Sequence, residues 1–241
     1  MRSLSASDLL ALWETGLGQP PLQRALCLLR AAYPETPPET LAALPIGQRD
    51  AHLLTLRAMT FGARLLSLAR CPQCGECLEL TFDVDDIRAE AGFDNETLSL
   101  SMDNYAVTFR LPNSLDLTAL ADHRTPGPRE LLERCLLTAT HAGASCPAGE
   151  LPETVVQAIA EKMSVADPQA EIQLALTCPA CQQEWQAAFD ILSYFWTEIH
   201  AWGQRILREV HLMAAMYGWS EESILALTPL RRAMYLQMIA T

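Results

Sequence analysis

A short cysteine motif occurs twice in the chain, 107 positions apart. The first copy reads CPQCGECLELTFDV from Cys71, and the second reads CPACQQEWQAAFDI from Cys178. Both copies fit CPxC-x7-FD-[VI], a tight cysteine turn followed by a strand pattern. Two such turns that face each other would supply four thiolates in a tetrahedron, the arrangement of structural zinc sites. The repeat therefore predicts one metal-clamped element made from two distant halves.

The cysteines of the two pairs are the predicted Zn²⁺ ligands: Cys71, Cys74, Cys178 and Cys181. Four thiolates close the coordination shell and leave no position for a water, so we expect the zinc to be structural and not catalytic. Cys77 is left out of the shell because Glu184 occupies the equivalent position in the second copy. Gly75 suits the left-handed backbone of such a turn, whereas Gln182 stands where a second glycine would be.

The two halves are separated by 103 residues. Closing a loop of that length costs roughly 1.7 kcal/mol more than closing one of about 15 residues. A four-thiolate zinc site contributes on the order of 10 kcal/mol at neutral pH. We therefore expect the metal to join the halves and the intervening segment to fold as an insertion.

Three other roles of the cysteines compete with structural zinc. A CPxC pair can be a redox dithiol, but that chemistry favours a cysteine at a helix N-terminus, and both pairs here lead into strand patterns. A purely disulfide role requires an oxidising compartment. A zinc-ribbon module can also bind nucleic acid, but residues 71–190 carry six basic and twenty acidic residues, a net charge of −14 that would repel phosphates.

The sequence predicts an α+β fold, with mostly helical ends around a split zinc ribbon that carries a small α/β insertion. The predicted boundaries are 1–70 for the N-terminal helical region, 71–84 with 172–191 for the ribbon, 85–171 for the acidic insertion and 192–241 for the C-terminal helical region. Helical spacing is predicted through 46–69. A hairpin is predicted in LSLSMDNYAVTFRLP with its turn at Asp103-Asn104.

A long helix is predicted from Ile191, with its end at Gly218, because apolar residues recur there every three or four positions. Its stripe is rich in aromatic side chains, which are more often core than interface. The length of the stripe nevertheless indicates a surface for a protein partner. The candidate partner-binding residues are Phe195, Trp196, Trp202 and Trp219.

The motifs of the common enzyme classes are missing from the sequence. It contains no GxGxxG, GxxxxGK[ST], GxSxG or HExxH pattern, so we predict no catalytic residues, no organic cofactor and no enzyme activity. No apolar stretch reaches the length of a membrane span, and the N-terminus lacks the apolar core of a secretion signal. We therefore expect a cytoplasmic protein that does not contact membranes.

Several stretches resemble the T-even-type phage baseplate hub assembly chaperone family, in the branch associated with phage-tail-like contractile injection systems. They are LPIGQRDAHLLTLRAMTFG, YAVTFRLPNSLDLTAL, ADPQAEIQLALTCPACQQEW and FWTEIHAWGQRILREVHLMAAMYGWSEESILALTPLRRAMYLQMI. The resemblance implies a cytoplasmic, non-enzymatic protein whose partners are the hub or other baseplate proteins, and not nucleic acid. It leaves open whether the chain leaves after assembly or stays in the particle.

Overall fold

A computed structural model describes residues 1–89, 97–121 and 127–239 of the 241-residue chain. The α-helices in this part of the chain are α1 Ala6–Gly16, α2 Pro21–Ala32, α3 Pro38–Ala42, α4 Ile46–Phe61, α5 Ser114–Leu120, α6 Pro128–Cys135, α7 Glu153–Ala166, α8 Ile191–Tyr217, α9 Glu221–Leu225 and α10 Pro229–Ile239. The strands are β1 Arg64–Arg70, β2 Cys77–Asp83, β3 Leu98–Met102, β4 Tyr105–Phe109, β5 Leu136–His141, β6 Ala144–Ser145, β7 Ile172–Thr177 and β8 Glu184–Phe189. The predicted mixture of helices and strands is confirmed.

The chain folds as two compact units. Unit 1 combines Met1–Glu35 with Ile191–Thr241, and unit 2 is Thr36–Asp190. The described elements of unit 1 are all helical, and every strand belongs to unit 2. The four-region division made from the sequence stays a prediction, and parts of its 85–171 region lie outside the described residues.

Residues typical of helix ends mark the start of α1 and the end of α8 in unit 1. Ser5 caps α1, since its hydroxyl accepts from the Asp8 N–H at 3.1 Å while the Asp8 carboxylate accepts from the Ser5 N–H at 3.0 Å. Gly218, with φ of 67°, follows α8, as predicted for a left-handed C-terminal stop. The 27 residues of α8 form the long helix expected from the spacing of apolar side chains.

Two reciprocal contacts between glycine and tryptophan join α1 to α8. A Cβ added at Gly203 of α8 would lie 2.6 Å from the Trp13 indole, and one added at Gly16 of α1 would lie 2.2 Å from Trp196. Each helix therefore presents a glycine where the other presents an indole. Trp13 also donates to the His200 Nδ1 atom at 3.1 Å, which satisfies the indole N–H of this largely buried side chain.

The described residues of unit 2 form two separate two-stranded hairpins and one four-stranded sheet. β1 pairs with β2 and β7 pairs with β8, while the sheet has the order β3-β4-β5-β6. The sheet core is covered by α6 and α7, and its buried side chains are Val107, Phe109, Leu132, Leu151, Val155, Val156 and Ile159. The segment between the hairpins thus has a hydrophobic core of its own.

The predicted hairpin in the insertion is confirmed. β3 and β4 are antiparallel, with Met102 opposite Tyr105. Asp103 and Asn104 form the two-residue turn, and both have positive φ, 50° and 64°. Two consecutive left-handed residues are the mark of a type I′ turn, for which Asp and Asn are among the preferred residues.

The helix prediction through 46–69 is wrong in its last part. α4 ends at Phe61, and Gly62 follows with φ of 95°, which reverses the chain. Residues Arg64–Arg70 then form β1, which pairs along its whole length with β2. Leucine and arginine are good helix formers, but backbone pairing with β2 overrides that local preference. The first cysteine motif therefore has a strand before it as well as behind it.

We predict that Gly203→Ala destabilises the protein by about 1–2 kcal/mol in total. Overlap of the added methyl group with the Trp13 ring costs about 2–3 kcal/mol, and the greater helix propensity of alanine offsets about 1 kcal/mol of this cost. Gly18→Ala is the control, since nothing lies within 4 Å of its added Cβ. Denaturant unfolding followed by circular dichroism measures both, and a Gly203→Ala protein as stable as wild type would contradict the packing described.

Candidate metal centre

Both cysteine motifs form the same six-residue hairpin loop. The first loop, CPQCGE, is flanked by the Arg70 and Cys77 pair at the ends of β1 and β2. The second, CPACQQ, is flanked by Thr177 and Glu184 at the ends of β7 and β8. Each loop joins two antiparallel strands, so the repeat seen in the sequence is a repeat of a whole hairpin.

The hydrogen bonds inside the two loops are equivalent. In the first loop, the Cys71 N–H donates to the Glu76 carbonyl oxygen at 2.8 Å, and the Gly75 N–H donates to the Cys71 carbonyl oxygen at 3.0 Å. The second loop has the same two bonds, Cys178 N–H to Gln183 O at 2.8 Å and Gln182 N–H to Cys178 O at 2.9 Å. The backbone therefore presents both sulfur atoms of each pair on the same side of a tight knuckle.

The residue after the second cysteine has a left-handed backbone in both loops. Gly75 has φ of 78° and Gln182 has φ of 61°. Glycine adopts this conformation without steric strain, whereas for a residue with a side chain the conformation costs about 1–2 kcal/mol. Gln182 thus adopts the geometry that the turn requires, although its side chain disfavours it.

The four predicted ligands come together at the tips of the two hairpins. Their sulfur atoms all lie within 4.8 Å of one another. The Cys71 and Cys181 sulfurs are 3.7 Å apart, and those of Cys74 and Cys178 are 3.5 Å apart. A tetrahedral ion with metal–sulfur bonds of about 2.3 Å would require sulfur separations of about 3.8 Å. The cluster therefore has the donor set and the spacing of a four-thiolate metal site.

The electrostatics of the cluster favour a bound cation. Backbone N–H groups of Cys74 and Gln73 stabilise the Cys71 thiolate and lower its pKa to about 6. The Glu76 N–H lowers the pKa of the Cys74 thiol, but the sulfurs of Cys181 and Cys178 outweigh this effect and raise that pKa to about 12. Four adjacent thiols cannot all lose their protons without a compensating charge, and a divalent cation supplies it.

A pair of equivalent phenylalanines connects the hairpins at the opposite end from the cysteines. Phe82 lies in β2 and Phe189 occupies the matching position in β8. Their ring centroids are 5.6 Å apart and the planes meet at 84°, an edge-to-face contact. Residues Cys77 to Phe82 span about 17 Å at strand rise, so the sulfur cluster and the ring pair hold the hairpins at two separated points.

The base of the second hairpin is attached to α4. The Asp167 carboxylate accepts from the Gly47 N–H at 2.9 Å, which caps α4 where Pro45 offers no side-chain cap. The approach is so close that a Cβ on Gly47 would lie 1.8 Å from the Asp167 carboxylate. Burial raises the pKa of Asp167, because the charged form loses its hydration.

Gln169 connects the bases of both hairpins. This buried side chain accepts from the Ala89 N–H at 2.7 Å and donates to the Ile87 carbonyl oxygen at 3.3 Å. Ile87 and Ala89 follow β2, and Gln169 precedes β7. One side chain therefore satisfies backbone groups beside the first hairpin and fixes the start of the second.

α4 carries buried charges, and one of them, Arg57, holds the start of the first hairpin. Arg57 donates to the carbonyl oxygens of Gly62 and Arg64 at 2.6 and 2.7 Å, across the junction of α4 and β1. Arg49 and Asp50 form a buried ion pair at 2.7 Å. Burial raises the pKa of Asp50 to about 6, although the Arg49 charge opposes that shift.

These supporting residues were missed by sequence reasoning. Their partners are 120 positions away for Gly47 and about 80 for Gln169, and neither pair has a motif spacing. A weak signal was present, since ADPQAEIQLALT places Asp167 and Gln169 directly before a strand pattern that leads to Cys178.

The remaining cysteines lie outside the sulfur cluster. Cys77 is exposed at the start of β2, and Cys135 is buried, which raises the pKa of its thiol to about 11. Among residues 1–89, 97–121 and 127–239, no second group of three or more Cys, His, Asp or Glu side chains has its ligand atoms close enough for a metal.

The candidate partner-binding aromatic residues lie in different surroundings within unit 1. Phe195 is fully buried. Trp196 packs on Gly16, with the Arg24 guanidinium 4.5 Å from its ring centroid. Trp219 stacks with Tyr217 at 4.9 Å and meets Tyr235 edge-on at 4.9 Å, and Trp202 is half-buried. Their contact with a partner stays a prediction.

None of the described helices combines the length of a membrane span with sufficient apolar character.

Fold and site together define an α+β protein in which two knuckle hairpins form a four-cysteine centre. The chain matches the family of T4 bacteriophage base plate proteins over residues 28–196, which is more than two thirds of its length. It belongs to this family. No curated protein and no solved structure gives a significant match.

We predict that Gln182→Gly stabilises the protein by about 0.5–1 kcal/mol, because glycine removes the strain of the left-handed backbone and loses part of that gain to chain entropy. Gly75→Ala at the equivalent position should destabilise it by about 1 kcal/mol. Thermal unfolding of the two variants beside wild type provides the measurement. Shifts of equal sign would show that the two loops are not equivalent.

Proposed function

We propose that the four-cysteine centre binds one Zn²⁺ ion with a structural role. The observation that supports this is the clustering of four sulfurs at spacings suited to a tetrahedral ion. Tetrahedral sulfur sites take zinc or iron. Zinc fits the paired knuckle hairpins of a zinc ribbon and needs no electron-transfer partner. Four thiolates leave no open coordination position, so zinc here would stabilise the fold and would not activate water.

We predict about one zinc ion per chain in protein purified without chelator, measured by inductively coupled plasma mass spectrometry. Cys181→Ser should lose most of the metal and unfold at a lower temperature, by about 2–4 °C for each kcal/mol of stability lost. Cys77→Ser is the control, because this exposed thiol lies outside the cluster and its loss should leave the metal content unchanged. Equal metal loss in both variants, or iron in place of zinc, would contradict the assignment.

The family supports a role in the baseplate of a contractile tail, together with other baseplate proteins. We propose more specifically that the chain is an assembly chaperone or a minor component of the central hub in a phage tail or injection system. The resemblance of the C-terminal stretch FWTEIHAWGQRILREVHLMAAMYGWSEESIL to hub assembly chaperones supports this finer role. The zinc-held hairpins would then give unit 2 a fixed shape while the chain engages the hub.

This proposal includes a non-enzymatic protein that acts in the cytoplasm without membranes or nucleic acid. Reduced thiols suited to metal binding fit a reducing compartment. The net charge of −14 over residues 71–190 would weaken any contact with phosphates at physiological salt. The chain either departs after hub assembly or remains in the particle, and particle composition decides between these outcomes.

Two other functions make different predictions. A zinc-ribbon module for nucleic acid would show salt-dependent binding to DNA or RNA. A CPxC oxidoreductase would reduce insulin disulfides and would lose activity, not stability, on replacement of Cys71. In the structure both cysteine pairs sit in hairpin loops and not at helix N-termini, which gives no support to the redox alternative.

We predict that co-expression with the hub protein of its own gene cluster raises the soluble yield of that protein and yields a complex on affinity purification. The physical reason is that a chaperone covers apolar surface that the free hub subunit would expose. Quantified gel filtration of lysates with and without this chain provides the measurement. An unrelated acidic zinc protein serves as control, and unchanged yield with no complex would argue against hub chaperoning.

A further inference from the structure

The four cysteines of the centre differ in their access to solvent. Cys71 and Cys178, the first cysteine of each loop, are buried and only 2 and 0% exposed. Cys74, the second cysteine of the first loop, is exposed, and its counterpart Cys181 is half-buried. A small reagent in solution therefore reaches the second cysteine of each loop more readily than the first.

Two short sulfur contacts each pair an accessible cysteine with a buried one. The exposed Cys74 sulfur lies 3.5 Å from the buried Cys178 sulfur, and the half-buried Cys181 sulfur lies 3.7 Å from the buried Cys71 sulfur. Both contacts run from one hairpin to the other. A disulfide requires a sulfur separation of about 2.05 Å, so the sulfurs of each pair must approach by about 1.5 Å. A movement of this size is within the reach of side-chain rotation.

We propose that the centre is an oxidation site, at which hydrogen peroxide replaces the bound metal by the disulfides Cys74–Cys178 and Cys71–Cys181. This inference rests on the proposed zinc site, because coordination to a divalent ion keeps the thiols deprotonated. Cysteines that sense oxidants are accessible thiolates that lie beside a second, resolving cysteine. Each short pair contains both, since the accessible sulfur is the point of attack and the buried sulfur resolves the product.

The reaction consumes one hydrogen peroxide molecule for each disulfide. The Cys74 thiolate attacks a peroxide oxygen, so that an S–O bond forms, the O–O bond breaks and one water leaves after protonation. The Cys178 sulfur then attacks the Cys74 sulfur, which forms the disulfide and releases the second oxygen as water. Cys181 and Cys71 react in the same way. Four thiolates are thus oxidised, two peroxides are reduced to four waters with four protons from the solvent, and Zn²⁺ is released.

Disulfides that cross between the hairpins would preserve the connection that the metal makes. A disulfide within one CPxC loop would instead remove two ligands and leave the hairpin tips unconnected. The exchange occurs once per chain, so it is a change of state and not the turnover of an oxidoreductase. We therefore expect unit 2 to stay folded after oxidation has released the metal.

The first test treats the zinc-loaded full chain with an excess of hydrogen peroxide. A chromogenic chelator reports the released zinc, and non-reducing electrophoresis after alkylation of the remaining thiols reports the disulfides. The predicted disulfides join cysteines 104 and 110 positions apart, and closed loops of this length make the denatured chain more compact. We expect loss of most of the zinc together with a faster-migrating monomer band that dithiothreitol abolishes.

Several outcomes of the first test would overturn the inference. They are zinc release without a change in mobility, which indicates disulfides within one loop, zinc that stays bound, and cross-linked dimers. Cys77→Ser is the control, because this exposed thiol lies outside the cluster, and the variant should release zinc and change mobility like wild type. If the purified chain contains no zinc, the proposed metal site and this inference both fail. If zinc is bound but no disulfide joins the hairpins, only this inference fails.

The second test identifies the disulfides of the oxidised wild-type chain by mass spectrometry of the linked peptides. We expect Cys74–Cys178 and Cys71–Cys181 in about tenfold excess over the alternative pairing of the two loops. The same sample should unfold at a higher temperature than reduced chain stripped of metal by a chelator, because only the oxidised chain keeps its hairpin tips linked. Equal amounts of both pairings, or an oxidised chain no more stable than the stripped one, would overturn the inference.

Discussion

The sulfur cluster is the constraint around which unit 2 is organised. It requires two hairpin tips, 107 positions apart in the chain, to meet within a few ångströms. A metal ion alone could force such a meeting through a flexible loop at modest entropic cost. In this protein the intervening segment is not a flexible loop, because it has its own buried core. In addition, Asp167 attaches the base of the second hairpin to α4, and Gln169 attaches it to the end of the first hairpin. The protein itself therefore positions the hairpin tips, and the binding of a metal ion would have less disorder to overcome.

The two hairpins are related as copies throughout their length and not only at the cysteines. Leu65 opposite Phe82 in the first corresponds to Ile172 opposite Phe189 in the second, and the two phenylalanines pack against each other. Equivalent positions that contact each other are what an approximate two-fold relation between the hairpins would produce. Such a relation explains how one local motif yields a cluster of four sulfurs: each copy supplies two cysteines, and the two-fold relation brings the two pairs together.

Sequence reasoning succeeded where the deciding interaction is local and failed where it is distant. The cysteine pairs, the Asp103-Asn104 turn and the Gly218 stop could be predicted because each depends on a few neighbouring residues. β1 could not, since RLLSLAR is composed of residues that also suit a helix, and only pairing with β2 decides its conformation. The contacts of Gly203 with Trp13 and of Gly47 with Asp167 could not be predicted either. A glycine that is needed for close approach has no sequence pattern that identifies the residue it contacts.

The family match and the exposed apolar side chains of α8 and α10 occupy different parts of the chain. The match ends at residue 196, whereas Leu212, Met216, Leu230, Met234 and Met238 all follow it. The matched region contains the four-cysteine centre, its supporting contacts and the core of the four-stranded sheet. This chain therefore shares with base plate proteins chiefly the construction of unit 2. Within unit 1, the glycine–tryptophan packing joins α8 to α1, and the Glu209–Arg232 pair joins α8 to α10. The features that the family match covers are therefore mostly those of unit 2, and the exposed side chains after residue 196 can vary without a change at any matched residue.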